Sequence, residues 1–189
     1  STDSADIAAI AEKYGAQVPF MRPAILAEDI SKTEDAIVHA VETLAKNGKH
    51  YDILVLLQPT SPLRDSQDIL DAVNLFIDRK ISSLASVTPV IEHPLFMRTA
   101  DETGRMKRIL DLPSNVRRQD LDPYYIVNGA IYINHIKDIT PSWAANDNEY
   151  AFVMSKEHSL DINEMSDLKM AERLLSETSF QKPSLTGSD

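Results

Sequence analysis

The chain contains no cysteine, which excludes disulfides and thiolate-bound metals but leaves the redox compartment open, since many proteins of either kind lack it. A basic excess is missing too: 19 Lys and Arg against 29 Asp and Glu give a formal net charge of −10. Sequence-independent binding of nucleic acid needs a basic face to replace phosphate counterions, so that class is set aside. Any anionic ligand must be held locally. No apolar run approaches the ~20 residues of a membrane helix, so no membrane partner is expected. Ser1 to Ser4 do not read as a secretory leader, and a cytoplasmic location is the default expectation.

What is present is enough chain for one core, expected over residues 1–181, with the polar tail 182–189 disordered. Asp3 or Ser4 can cap a first helix whose apolar positions are Ile7, Ile10, Ala11 and Tyr14, with Gly15 as its stop. Thr33 can cap a second, carrying Ile37, Val38, Val41 and Leu44. The continuous apolar run "YDILVLLQ" predicts a strand buried on both faces. Ser66 can cap a third helix, and "SSLASVT" follows as another strand. Strands separated by helices of this length predict a layered α/β fold with a mostly parallel sheet. "HPLFMRT" and "RMKRIL" flank Asp101 to Gly104 as a β-hairpin leaving that sheet. "GAIYI" and "AFVM" read as two further strands, and Ser166 to Glu177 as a closing amphipathic helix. The first helix has only a few residues before it where a layered fold would place a strand, so at least one strand is expected to lie outside this chain.

Ligands of open α/β sheets sit beyond the carboxyl ends of strands. "QPTSPLR" stands at such an end: Pro59 and Pro62 stiffen the turn, Gln58 and Thr60 can hydrogen-bond a polar ligand, and Arg64 can clamp an anion. A rigid turn with Arg64 on the surface is the alternative. Arg117, Arg118 and Gln119 form a second candidate cluster, against which stands a solvated pair balanced by Asp120 and Asp122. Asn128-Gly129 reads first as a turn. Asp161 and Asn163, two apart in an extended segment, point their oxygens the same way, as suits a hard cation such as Mg²⁺. Asp167 or Ser166 can cap the last helix. The five histidines show no metal-like spacing.

Taken in order, "STDSADIAAIAEKYGA", "RPAILA", "LLQPTSPLR", "SVTPV", "HPLFMR", "RRQDL", "NGAIYI" and "LDINEMSDLKMAE" resemble the acylneuraminate cytidylyltransferases, the CMP-sialic acid synthetase family, from Ser1 to about Leu175. The resemblance implies a Rossmann-like nucleotidyltransferase that joins CTP to a nine-carbon nonulosonic acid and releases pyrophosphate. It places Arg22 and Thr33 at the nucleotide, and Gln58 and Thr60 near the reacting centre. Arg64, Arg117, Arg118, Gln119, Asn128 and Tyr132 fall around the sugar acid, while Asp161 and Asn163 match a Mg²⁺-binding pair that is often two aspartates. It also implies a homodimer formed through a protruding element from Pro89 to Pro123. One departure is large. The family's basic, glycine-containing loop, of the type "ARGGSKGIPRKN", has no counterpart among the five glycines here. A fragment of a longer synthetase is therefore expected, the alternatives being a non-catalytic dimerising or sugar-binding module, or a relative acting on a different 3-deoxy sugar acid.

Overall fold

The computed structural model describes residues 1–113, 115–140 and 142–177; the expected tail at 182–189 lies outside the described residues. Helix α1 (Ala5–Lys13) starts where the Ser4 hydroxyl accepts from the Ile7 amide. Its expected apolar face is unpacked: Ile7, Ile10 and Tyr14 are 57%, 59% and 83% exposed, and Ala8 alone is buried. Helix α2 (Thr33–Lys46) takes Lys32, not Thr33, as its N-cap, with no side-chain cap bond. Glu34 and Asp35 in its first turn face the positive end of the helix dipole instead.

Helix α3 (Ser66–Asp78) is capped one residue earlier than expected. Asp65 accepts from the Asp68 amide at 2.9 Å while Asp68 accepts from the Asp65 amide at 3.0 Å, a reciprocal box that the Ser66 reading missed. Helix α4 (Met165–Glu177) closes the described chain. None of these helices is long and apolar enough to cross a membrane.

Among the described residues the main sheet has four strands, β1 (Ile53–Leu56), β2 (Ser83–Pro89), β5 (Tyr125–His135) and β6 (Tyr150–Val153), in the order β1-β5-β2-β6. It is mixed rather than mostly parallel. β5 runs antiparallel to both β1 and β2, and only β2 and β6 pair in parallel. The reason lies in the chain path. After Pro89 the chain makes an excursion and returns, the Val90 amide donating to Tyr124 O at 3.0 Å, so that β5 must run back alongside β2. β1 and β2 therefore point the same way without touching. β1 is consequently an edge strand, half-buried along its length instead of buried on both faces.

Within the excursion, β3 (Arg98–Ala100) and β4 (Met106–Arg108) pair antiparallel as a separate two-stranded sheet, which is the expected hairpin. The core forms where α3 lies on the sheet. Phe76 and Ala72 of α3 pack with Leu84, Ile131, Ile133 and Met154, all but sealed from solvent. Each large apolar side chain so buried stabilises the fold by roughly 1.5–3 kcal/mol, enough to hold the strand ends firmly in place.

Candidate functional site

β1 stops at Leu56, and the turn after it is braced by Arg64. One guanidinium nitrogen donates to Gln58 O at 3.1 Å and to Ala130 O at 2.8 Å, tying the turn to β5. Arg64 is thus half-buried, not on the surface, and its Nε is buried without a partner. Burial lowers its pKa from the usual guanidinium value, and the neighbouring Asp68 charge opposes that shift. The charge is needed where it sits, because two backbone carbonyls share it.

Gln58 lies over a bulge in β5. The sheet register slips opposite Ser86, where Val127 to Tyr132 of β5 span only Ala85 to Val87 of β2. Asn128-Gly129 is therefore inside a strand, not a turn ahead of one. Gly129 has φ +74°, and a Cβ there would stand 3.0 Å from Gln58 Oε1. The positive φ favours glycine, and a Cβ would make the Gln58 side chain give way by a few tenths of an ångström. Gly129→Ala is expected to destabilise the fold by about 1–3 kcal/mol and to displace Gln58, which denaturant melts together with activity would register.

The segment around Asp161 meets the same turn. The Ile162 amide donates to Thr60 O at 2.8 Å, fastening the chain after β6 to the chain after β1. Asp161 Oδ2 accepts from Asn163 Nδ2 at 3.1 Å, whereas Asp161 Oδ1 is buried with no partner. Tyr132, 4% exposed, donates from its hydroxyl to Asn146 Oδ1 at 2.9 Å. Burial raises its pKa, and the Asp161 charge adds to the rise. Capping of α4 falls to Asp167, whose Oδ2 accepts from the amides of Asn163 and Glu164 at 2.9 Å each.

Gln58, Pro59 and Thr60 also line a cavity of about 1010 Å³ whose lining includes Arg22 and Thr33. That volume lies at the upper end of ordinary ligand clefts, which run ~300–1,000 Å³. Arg22 is held to the first residue, donating to Ser1 O at 2.7 Å and to Ser1 Oγ at 3.2 Å. The structure thus brings Thr60 and the Asp161 segment together, with Tyr132 within reach of the Asp161 charge, while Gln58 and Thr60 share a cavity lining with Arg22 and Thr33.

Two other expected residues are not gathered. Arg117 is exposed and paired with Asp120 at 2.9 Å, and no hydrogen bond or ion pair among the described residues links it or exposed Gln119 to Thr60 or Asp161. The side chain of Arg118 lies outside the described atoms. Sequence reasoning missed His158, whose Nδ1 is 2.8 Å from Asp68 Oδ2, so that the loop after β6 is fastened to the start of α3. The Asp65-to-Asp68 spacing could have announced the capping box; nothing in the sequence announces His158 as its partner. Ser86 and Ser159 were missed likewise.

No protein-family model matches the chain. It is similar to CMP-N,N'-diacetyllegionaminic acid synthase of Legionella pneumophila, 32% identical over 185 residues that cover 93% of this chain and 76% of that protein. Similarity extends to N-acylneuraminate cytidylyltransferase of Escherichia coli, 33% identical over 96% of this chain but only 42% of the longer relative. Pseudaminic acid cytidylyltransferase of Campylobacter jejuni is 28% identical, over 92% of this chain and 75% of its own length. With a relative above 30% identity aligned over three quarters of its length, the chain belongs to the acylneuraminate cytidylyltransferase family.

Proposed function

We propose that the chain carries the site of a cytidylyltransferase that transfers CMP from CTP to a nonulosonic, sialic-type acid. The sugar's anomeric hydroxyl oxygen attacks the α-phosphorus of CTP, the α–β anhydride bond breaks, pyrophosphate leaves, and the hydroxyl proton passes to solvent. In-line displacement of this kind needs positioning and charge neutralisation more than covalent chemistry. The observation that carries the reading is the Ile162-to-Thr60 hydrogen bond, which ties the Asp161 segment to the turn after β1, where Gln58 and Thr60 line the cavity. Arg22 and Thr33, which line the same cavity, take the nucleotide, and Gln58, Thr60 and Tyr132 take the acceptor near the reacting atoms.

A magnesium ion fits the residues present. Asp161 offers a buried oxygen with no other partner, and the Asn163 amide oxygen can add a neutral ligand of the hard type such a cation prefers. When bound, the cation would neutralise charge on the phosphates and on the departing pyrophosphate. Steady-state pyrophosphate release with CTP and several nonulosonic acids tests the proposal; CTP turnover that needs no sugar acid would count against it.

Arg117 is assigned to the sugar carboxylate on the strength of the family match. Its exposed pair with Asp120 contributes at most ~1 kcal/mol, so Arg117→Ala should fold normally. It is expected to raise KM for the sugar acid about tenfold or more while KM for CTP changes little, as for loss of a charge partner. Equal loss of both would remove the assignment. The excursion between β2 and β5, with Ile91 81% and Met106 71% exposed, together with the start of β5, where Ile126 is 57% exposed, is proposed as the homodimer contact. Sedimentation at micromolar concentration should give a dimer, and Met106→Glu with Ile126→Glu should give monomers.

A further inference from the structure

Asn128 has no hydrogen-bonding capacity left for a sugar. A primary amide can accept twice and donate twice. Its Oδ1 accepts from Ser86 Oγ at 2.6 Å and from the Ala130 amide at 3.2 Å. Its Nδ2 donates to Ser159 Oγ at 2.9 Å and, weakly, to Met154 Sδ at 3.5 Å. The residue is only 6% exposed.

The partners are committed as well. Ser86 is fully buried, and its hydroxyl, while donating to Asn128, accepts from the Ile131 amide at 2.7 Å. Those two side chains thereby satisfy backbone amides that the β5 bulge removes from the ladder, as buried donors require. At the other end, Ser159 Oγ donates to Ser155 O at 2.5 Å, which fixes the hydroxyl as acceptor toward Asn128. Ser159 is two residues before Asp161. Its loop has two further ties, His158 to Asp68 and Ile162 to Thr60.

We infer that Ser86, Asn128 and Ser159 form a rigid relay that positions the Asp161 segment against the Thr60 turn, and that Asn128 acts through this relay rather than by touching the sugar acid. The relay runs from the sealed centre of the sheet to the half-exposed loop, so it transmits the rigidity of β2 and β5 to a segment of the site that is not itself in the sheet. This assignment rests on the reading of Asp161 given above and changes the role of Asn128 within it.

Ser159→Ala removes the acceptor from a half-exposed position and leaves the core intact, so it should fold; Asn128→Ala and the double variant complete a cycle. Two readouts are taken on the full chain. By amide hydrogen exchange, the Ile162 N–H should exchange about tenfold faster in Ser159→Ala, with Ile133 in the core unchanged, because only the local opening becomes easier. In steady-state kinetics the Mg²⁺ concentration for half-maximal rate should rise several-fold and KM for the sugar acid should stay within about twofold. The double variant should be no worse than Asn128→Ala, since both cut one chain of contacts.

An unchanged Ile162 exchange rate in Ser159→Ala would overturn the inference. So would a tenfold rise in sugar KM confined to Asn128→Ala with Ser159→Ala silent, which is the behaviour of a direct sugar contact. If Asn128→Ala does not fold, Ser159→Ala decides alone. If the wild-type protein transfers no CMP, the proposed reaction fails while the exchange measurement still decides the relay.

Discussion

Asp161→Asn is expected to lower CMP transfer by about a thousandfold or more, on the scale of losing a charged group that acts where phosphate charge develops. Asn163→Asp should keep transfer and lower the Mg²⁺ requirement. The asymmetry follows from the pair itself: Asp161 supplies its only formal charge, and its Oδ1 is buried with nothing to accept from. Such an oxygen costs stability unless a ligand compensates it. A purely structural role would have Asp161 ordering the turn before α4, but that task belongs to Asp167, which takes the Asn163 and Glu164 amides. Thermal melts of Asp161→Asn should therefore differ little from wild type. An unchanged Mg²⁺ midpoint, or a fall in stability of ~1 kcal/mol such as a lost cap produces with rate intact, would take Asp161 out of the site.

Arg64→Ala is expected to have the largest effect on folding, about 2–4 kcal/mol, because it strips a charged donor from two carbonyls at once. Gln58 O and Ala130 O are 72 residues apart in sequence, and Arg64 Nη1 alone holds both. Transfer should fall as well, since Gln58 and Thr60 lose the brace that sets their turn. Arg64→Lys should recover part of the stability, because an ammonium can reach one carbonyl but lacks the planar fork. Denaturant melts of the two variants separate this from the other possible role. An anion clamp would give a stable Arg64→Ala protein with a raised KM for an anionic substrate.

Local signals carried much of the fold. The helix with Ser4 as its cap, the hairpin around Asp101 to Gly104 and the strand at "AFVM" depend on short-range spacing and turn chemistry and stand close to where the sequence places them, whereas β5 begins at Tyr125, ahead of "GAIYI". Strand order was not legible. Apolar runs say that β1 and β2 enter a sheet but not that β5, more than thirty residues beyond β2, slots between them. The burial of β1 was misread for the same reason: a continuous apolar run does not say whether its strand is central or, as here, a half-buried edge.

The proposed site was readable where it lies on a strand end: Gln58 and Thr60 are proposed from "QPTSPLR", and Asp161 with Asn163 from their spacing. Its supports were not. Arg64 reads as a clamp with nothing to announce that it also holds two backbone carbonyls, and Asn128 reads as a turn residue until the bulge places it beside Ser86. Each depends on contacts between residues far apart in the chain, which periodicity does not encode. Arg117 is the reverse case: its pairing with Asp120 three residues on is local and was foreseen as one of two readings.

Phosphorus-31 NMR of a single reaction containing CTP, Mg²⁺ and a nonulosonic acid tests the proposed chemistry most directly. The expected result is loss of the triphosphate signals with a new phosphodiester resonance and pyrophosphate rising in equal amounts, all three absent when the sugar acid is omitted. Free CMP or CDP in place of the phosphodiester, or phosphodiester formed equally well by Asp161→Asn, would contradict it.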